Sequence, residues 1–176
     1  MIPEIKKILF TTDLSKNAKD AFYYALSLAG RHDADIILLH VLEDHSSSTR
    51  SVHLESFLGK NRWEALKKSH EDEARQILIG KKRDSVIITK ALGEFCESAK
   101  DEMDETDIET ENIVVTRGNA VDEILSLAES KNCDLIVMGY YVRGKLGEAF
   151  LGSTTRRVLR GSKIPVLLVQ LPQQET

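Results

Sequence analysis

The residues best placed to do chemistry lie late in the chain. Gly152-Ser153-Thr154 stands before a run whose helical spacing includes Val158 and Leu159. Backbone N–H groups at a helix N-terminus, with a hydroxyl beside them, make a site for phosphate. Gly139 follows the apolar run Asp134–Met138, where a glycine would end the strand and let the chain turn at little steric cost. Between Gly139 and Lys163 there are six bases (Arg143, Lys145, Arg156, Arg157, Arg160, Lys163) against one acid, Glu148. That local excess attracts an anion, although the same charges also suit a solvated helix face. A second polar group, Thr11-Thr12-Asp13-Leu14-Ser15, follows the first apolar run.

Other chemistries find no support. The five histidines (His32, His40, His45, His53, His70) have no ligand spacing with cysteines or carboxylates. His40, near the end of an apolar run, reads as a satisfied core histidine. There is no G-x-S-x-G elbow and no complete Walker A sequence. Ser153 and Thr154 have no adjacent histidine to activate them, so no catalytic constellation is visible.

The elements that must position these residues alternate in type. Apolar runs at Ile5–Thr12, Asp35–Val41, Glu111–Thr116, Asp134–Met138 and Pro165–Gln170 lack polar alternation, as strands buried on both faces do. Between the first two, Ala18, Ala21, Phe22, Ala25, Leu26 and Ala29 recur at three and four. Ser15 or Asp13 is the expected N-cap of that helix, with Gly30 near its stop. Val121, Ile124, Leu125 and Ala128 mark another helix, capped by Asn119 and with Asp122 in its first turn. The intervening stretch is long. It holds a serine-rich loop and one helix carrying Trp63, Leu66, His70, Ala74, Ile77 and Leu78. Lys81-Lys82-Arg83 interrupts that stripe, and a second helix turns Ile88, Ala91, Leu92, Phe95, Cys96, Ala99 and Met103 inward.

This order predicts an α/β fold, an open parallel sheet with helices on both faces. We expect a single domain over 1–176 with a helical insertion around 44–110. Ligands of such sheets bind beyond the strand C-termini where strand order reverses, which selects the loops after the first and fourth strands.

Composition sets outer limits. The 176 residues are 41% hydrophobic and 30% charged, which excludes a collagen, a disulfide scaffold or a largely disordered chain. No apolar run approaches the ~20 residues that span a bilayer. No leader is visible after Met1, and Cys96 and Cys133 read as packing residues, so a cytoplasmic protein is expected. The net charge of −4 owes much to Asp101–Glu111, which holds seven acids and no base. Without a basic stripe interleaved with aromatics, neither nucleic acid nor membrane is an expected partner.

Thr11-Thr12-Asp13-Leu14-Ser15, Leu39-His40-Val41, Arg117-Gly118-Asn119-Ala120, Asp134 through Gly139, and Gly152-Ser153 through Pro165–Val169 follow one another in a specific order. In these residues the chain resembles the universal stress protein family. The resemblance implies a five-stranded parallel sheet of order 3-2-1-4-5, Rossmann-like and similar to the adenine-nucleotide α-hydrolases. Many members bind ATP through G-x2-G-x9-G-S/T after the fourth strand. Here the first glycine is Gly139, the last is Gly152 and the hydroxyl is Ser153, with Thr154 beside it. The middle glycine falls on Val142, a departure, with Gly144 two residues later. Asp13, preceded by Thr12, and Val41 match positions near the ribose and adenine in nucleotide-binding members.

The resemblance therefore implies an ATP·Mg²⁺-responsive regulatory module with at most slow hydrolysis, forming a homodimer through strand Val166–Gln170. The alternative is a member without nucleotide that recognises an unidentified protein partner, which Val142, Tyr140 and Tyr141 favour. A nucleotide-dependent enzyme on a related scaffold would need a second domain or paired acid and base groups that are not seen.

Overall fold

The apolar runs pair as one sheet because each is apolar on both faces and needs cover on both. The computed structural model describes residues 3–43, 55–74, 81–103, 110–141 and 151–172. Within them the chain runs β1 (Lys7–Thr11), α1 (Ala18–His32), β2 (Asp35–Leu42), α2 (Lys60–Ala74), α3 (Lys81–Met103), β3 (Thr110–Arg117), α4 (Ala120–Ser130), β4 (Leu135–Tyr141), α5 (Ser153–Gly161) and β5 (Val166–Leu171). The five strands are parallel in the order β3-β2-β1-β4-β5. The chain builds outward from β1 to β3, then returns to the other side of β1 with β4. That reversal leaves a gap between the C-terminal ends of β1 and β4.

Side chains alternate along each strand and sort into two cores. Ile8, Phe10, Ile36, Leu38 and Val137 pack against α1 and α3, while Leu9, Ile37, Leu39, Ile136 and Met138 pack against α4 and α5. The inward stripe of α1 is the expected one, since Ala18, Ala21, Phe22, Ala25, Leu26 and Ala29 are all buried. The long stretch after β2 is tied to the first core by an aromatic chain. Ring centroids of Phe10–Phe22, Phe22–Phe95 and Phe95–Phe57 lie 5.0, 5.1 and 4.4 Å apart. α3 is thus the crossover helix, and α2, with Trp63 and Leu66 buried, is the additional one. His70, Ala74, Ile77, Leu78 and Met103 of the expected stripes lie outside the described side chains. Cys96 and Cys133 are both buried.

Several boundaries differ from the sequence expectation. Lys81-Lys82-Arg83 forms the first turn of α3 rather than a break before it. α1 runs past Gly30 to His32 and is closed by Asp33 in the left-handed region, φ 53°. Its N-cap is Asn17 rather than Ser15 or Asp13, because Asp13 Oδ1 accepts from Ser15 N at 2.9 Å within the preceding turn. Leu159 does not face the core. It is 40% exposed, and Val158 alone of that pair is buried. β4 continues through Gly139 to Tyr141, with Gly139 opposite Val169, so Gly139 neither ends the strand nor makes a turn. At the opposite end, Asp134 Oδ2 accepts from Lys6 N and Lys7 N at 2.8 and 2.9 Å and fixes the start of β1 against β4.

Candidate functional site

β1 leaves the sheet at Thr11, three residues before its neighbours do. Thr12 N still donates to Leu39 O at 3.0 Å, then the chain bends away. The bend is held by side chains. Thr12 Oγ1 accepts from Leu14 N at 3.1 Å, and Asp13 accepts from Ser15 N. Leu14 sits at φ 61°, a left-handed conformation unusual for a bulky residue. Asp13 is exposed, and its second oxygen has no hydrogen-bond partner among the described residues.

β2 and β4 run on past this exit. In β2 the even-numbered peptides face β3, as Gly118 N donating to Leu42 O at 3.3 Å shows. The odd-numbered ones face β1, so the Val41 peptide points into the space beyond the end of β1, past the last ladder pair Thr11↔Leu39. The result is a cleft of about 430 Å³ over the sheet's C-terminal edge. Thr12, Asp13, Val41, Gly139, Gly152, Ser153 and Thr154 all line it. Val142 and Gly144, the remaining expected residues, lie outside the described residues.

Two helix N-termini border this cleft, and they differ. α4 is closed internally, because Asn119 Oδ1 accepts from Val121 N and Asp122 N at 3.1 and 3.4 Å. Asp122 and Glu123 in its first turn further offset its positive end. α5 begins at Gly152 with no side-chain cap and no acid in its first turn. Its first N–H groups and the positive end of its dipole are therefore the ones disposed toward an anion.

The glycines flanking the cleft have separate causes. A Cβ on Gly139 would fall 2.6 Å from Leu171 Cδ1, so close packing of β5 explains that residue. Gly152 has an ordinary φ of −54°, and a Cβ there would meet only Thr155 Oγ1 at 4.0 Å. Neither backbone nor neighbour requires glycine at 152, and the space it leaves opens on the cleft.

Sequence reasoning missed several lining residues. Glu43, Thr155, Met138 and Leu171 also face the cleft, and so does His40, which is buried as expected. The signal available for Glu43 was its place just past the second strand. Asp13 and Glu43 are the carboxylates of the described lining, and no group of three metal-binding side chains occurs among the described residues.

The profile of the universal stress protein family matches residues 4–170. The chain belongs to the universal stress protein family. Universal stress protein MJ0577 of Methanocaldococcus jannaschii is 29% identical over 165 residues, covering 94% of each chain. The solved structure of that protein superposes with a TM-score of 0.57 at 25% identity, over 99% of this chain and 100% of that one. A universal stress protein solved in complex with cAMP shares the fold, with a TM-score of 0.56 at 20% identity over 97% and 100% of the two chains. In this universal stress protein no described helix is long and apolar enough to cross a membrane.

Proposed function

We propose that the cleft binds an adenine nucleotide, ATP as its Mg²⁺ complex, and that the protein is a nucleotide-responsive regulatory module rather than an efficient enzyme. The observation that carries this reading is the uncapped start of α5. Gly152-Ser153-Thr154 presents N–H groups and hydroxyls to the same cleft that Asp13 and the Val41 peptide enter from the other side. Phosphates suit the α5 end, a ribose hydroxyl suits the open oxygen of Asp13, and a base suits the Val41 peptide. A relative of this fold was solved with cAMP, which belongs to the same ligand class.

Mg²⁺ suits the donor set. It is usually held by one or two carboxylates together with phosphate oxygens. Glu43 is the lining carboxylate that would hold it together with phosphate oxygens, leaving the open oxygen of Asp13 to the ribose. We read the chain as a single cytoplasmic domain over 1–176, with 44–110 as its insertion. Its homodimer forms through β5. Bound nucleotide would act by shifting the population toward the state that a partner recognises.

Isothermal titration with ATP·Mg²⁺ tests the reading. Micromolar binding in the wild type that disappears in Asp13→Ala is the expected result. Absence of heat at high ligand concentration, with no copurified nucleotide, would move the assignment to the protein-interaction module. The feature favouring that second reading is Tyr140-Tyr141-Val142 in place of the small residues usual beside a phosphate.

A further inference from the structure

We propose that His40 is a positioning residue of the cleft: its Nδ1–H holds the Thr12 carbonyl, which fixes the turn that aims Asp13. The proposal rests on the nucleotide reading above and adds to it the device that sets ribose recognition. His40 is 8% exposed, and its Nδ1 lies 2.8 Å from Thr12 O. A carbonyl only accepts, so Nδ1 carries the proton. The contact joins β2 to the first residue beyond β1, where backbone pairing stops.

The position of that bond matters. The last ladder pair is Thr11↔Leu39, and Thr12 N donates to Leu39 O at 3.0 Å. Regular continuation would turn the Thr12 carbonyl toward the N–H of Val41. His40 meets that carbonyl instead, so the ladder ends in a side-chain bond and the Val41 peptide faces the cleft. The same anchor starts the turn that follows. Thr12 Oγ1 and Asp13 Oδ1 accept from Leu14 N and Ser15 N, with Leu14 in the left-handed region and buried between them. A conformation that a bulky residue disfavours persists only when its surroundings over-determine it. Thr12 is the hinge of that turn, and His40 holds its carbonyl from the sheet.

The test compares ATP·Mg²⁺ with 2′,3′-dideoxy-ATP·Mg²⁺ by isothermal titration on wild type, His40→Leu, His40→Phe and His40→Asn. Wild type should prefer ATP. Leu and Phe, which cannot donate, should weaken ATP binding by about tenfold and bring it near the dideoxy value. Asn, whose amide can donate from near the Nδ1 position, should keep the preference. A folded Leu or Phe variant that keeps it, or a folded Asn variant that loses it, overturns the proposal. A second measurement needs no variant: the His40 Nδ1 proton should give a protected NMR signal that shifts more with ATP than with the dideoxy ligand. Loss or immobility of that signal also overturns the role, even if the substituted chains fail to fold. Wild type that binds neither nucleotide is a different failure, that of the nucleotide reading itself.

Discussion

A methyl group at residue 139 and one at residue 152 meet opposite surroundings. At 139 the nearest atoms are Leu171 Cδ1 and Cγ, 2.6 and 2.9 Å away, and Leu171 is buried. Gly139→Ala should therefore destabilise the fold by about 1–3 kcal/mol, the usual cost of overpacking, read as a lower urea midpoint. At 152 the space is open and the backbone has cap-like angles. Gly152→Asp supplies a good N-cap side chain, so the melting temperature should hold or rise slightly. The same carboxylate would stand where phosphate belongs, and ATP·Mg²⁺ affinity should fall at least about tenfold, by roughly 1.4 kcal/mol or more. A variant that is stable and binds normally would place the anion elsewhere.

The helices show the same contrast one level up. α4 closes its own N-terminus with Asn119, so Asn119→Ala should cost about 1 kcal/mol of stability in chemical denaturation, without a direct effect on ligand contacts. At its other end, Glu129 and Lys163 form an ion pair at 2.9 Å between side chains 72% and 80% exposed. The hydrogen bond and charge of Lys163 hold the Glu129 carboxyl below its ordinary value, and those of Glu129 raise Lys163. Any stability from Glu129 is present above the ordinary carboxylate range and lost as pH falls through its lowered folded value. For Lys163 it is present below the ordinary lysine value and lost as pH rises through the raised one. Because solvent and salt screen so exposed a pair, Glu129→Gln should leave the urea midpoint at neutral pH within error. A clear loss would show that the link between α4 and the connection from α5 to β5 is stiffer than its exposure implies.

At the scale of the molecule, the sheet has two edges, β3 and β5. Ile136 N donates to Pro165 O at 3.0 Å, so the odd-numbered peptides of β5 face β4 and the even-numbered ones face outward. Val166, Leu167 and Leu168 are half-buried. An apolar edge with free outward N–H groups is a liability unless another strand covers it. If that strand is its twin, sedimentation should give a dimer for the wild type. Gln170→Pro removes one outward N–H on an exposed residue and should shift the equilibrium to monomer while leaving the β4 ladder intact. A wild-type monomer at micromolar concentration would refute pairing through β5.

The sequence by itself determined the parallel sheet, the inward stripe of α1 and the cap of α4. Each depends on residues close in the chain, through apolar periodicity or a side chain two or three residues from its partner. It also pointed to the two strand ends that border the cleft, and the family pattern supplied the strand order. Tertiary structure alone decided what single residues are for. Gly139 is not a turn residue but leaves room inside a strand for Leu171, far along the chain, which packs over it. Asp13 serves a turn rather than the helix cap, and Leu159 faces outward because α5 turns Val158 to the core. His40 is both the core histidine its apolar run suggests and part of the cleft wall, because β1 stops short of it and leaves the Thr12 carbonyl in reach. Such roles depend on which distant atom arrives alongside, and chain spacing carries no record of that.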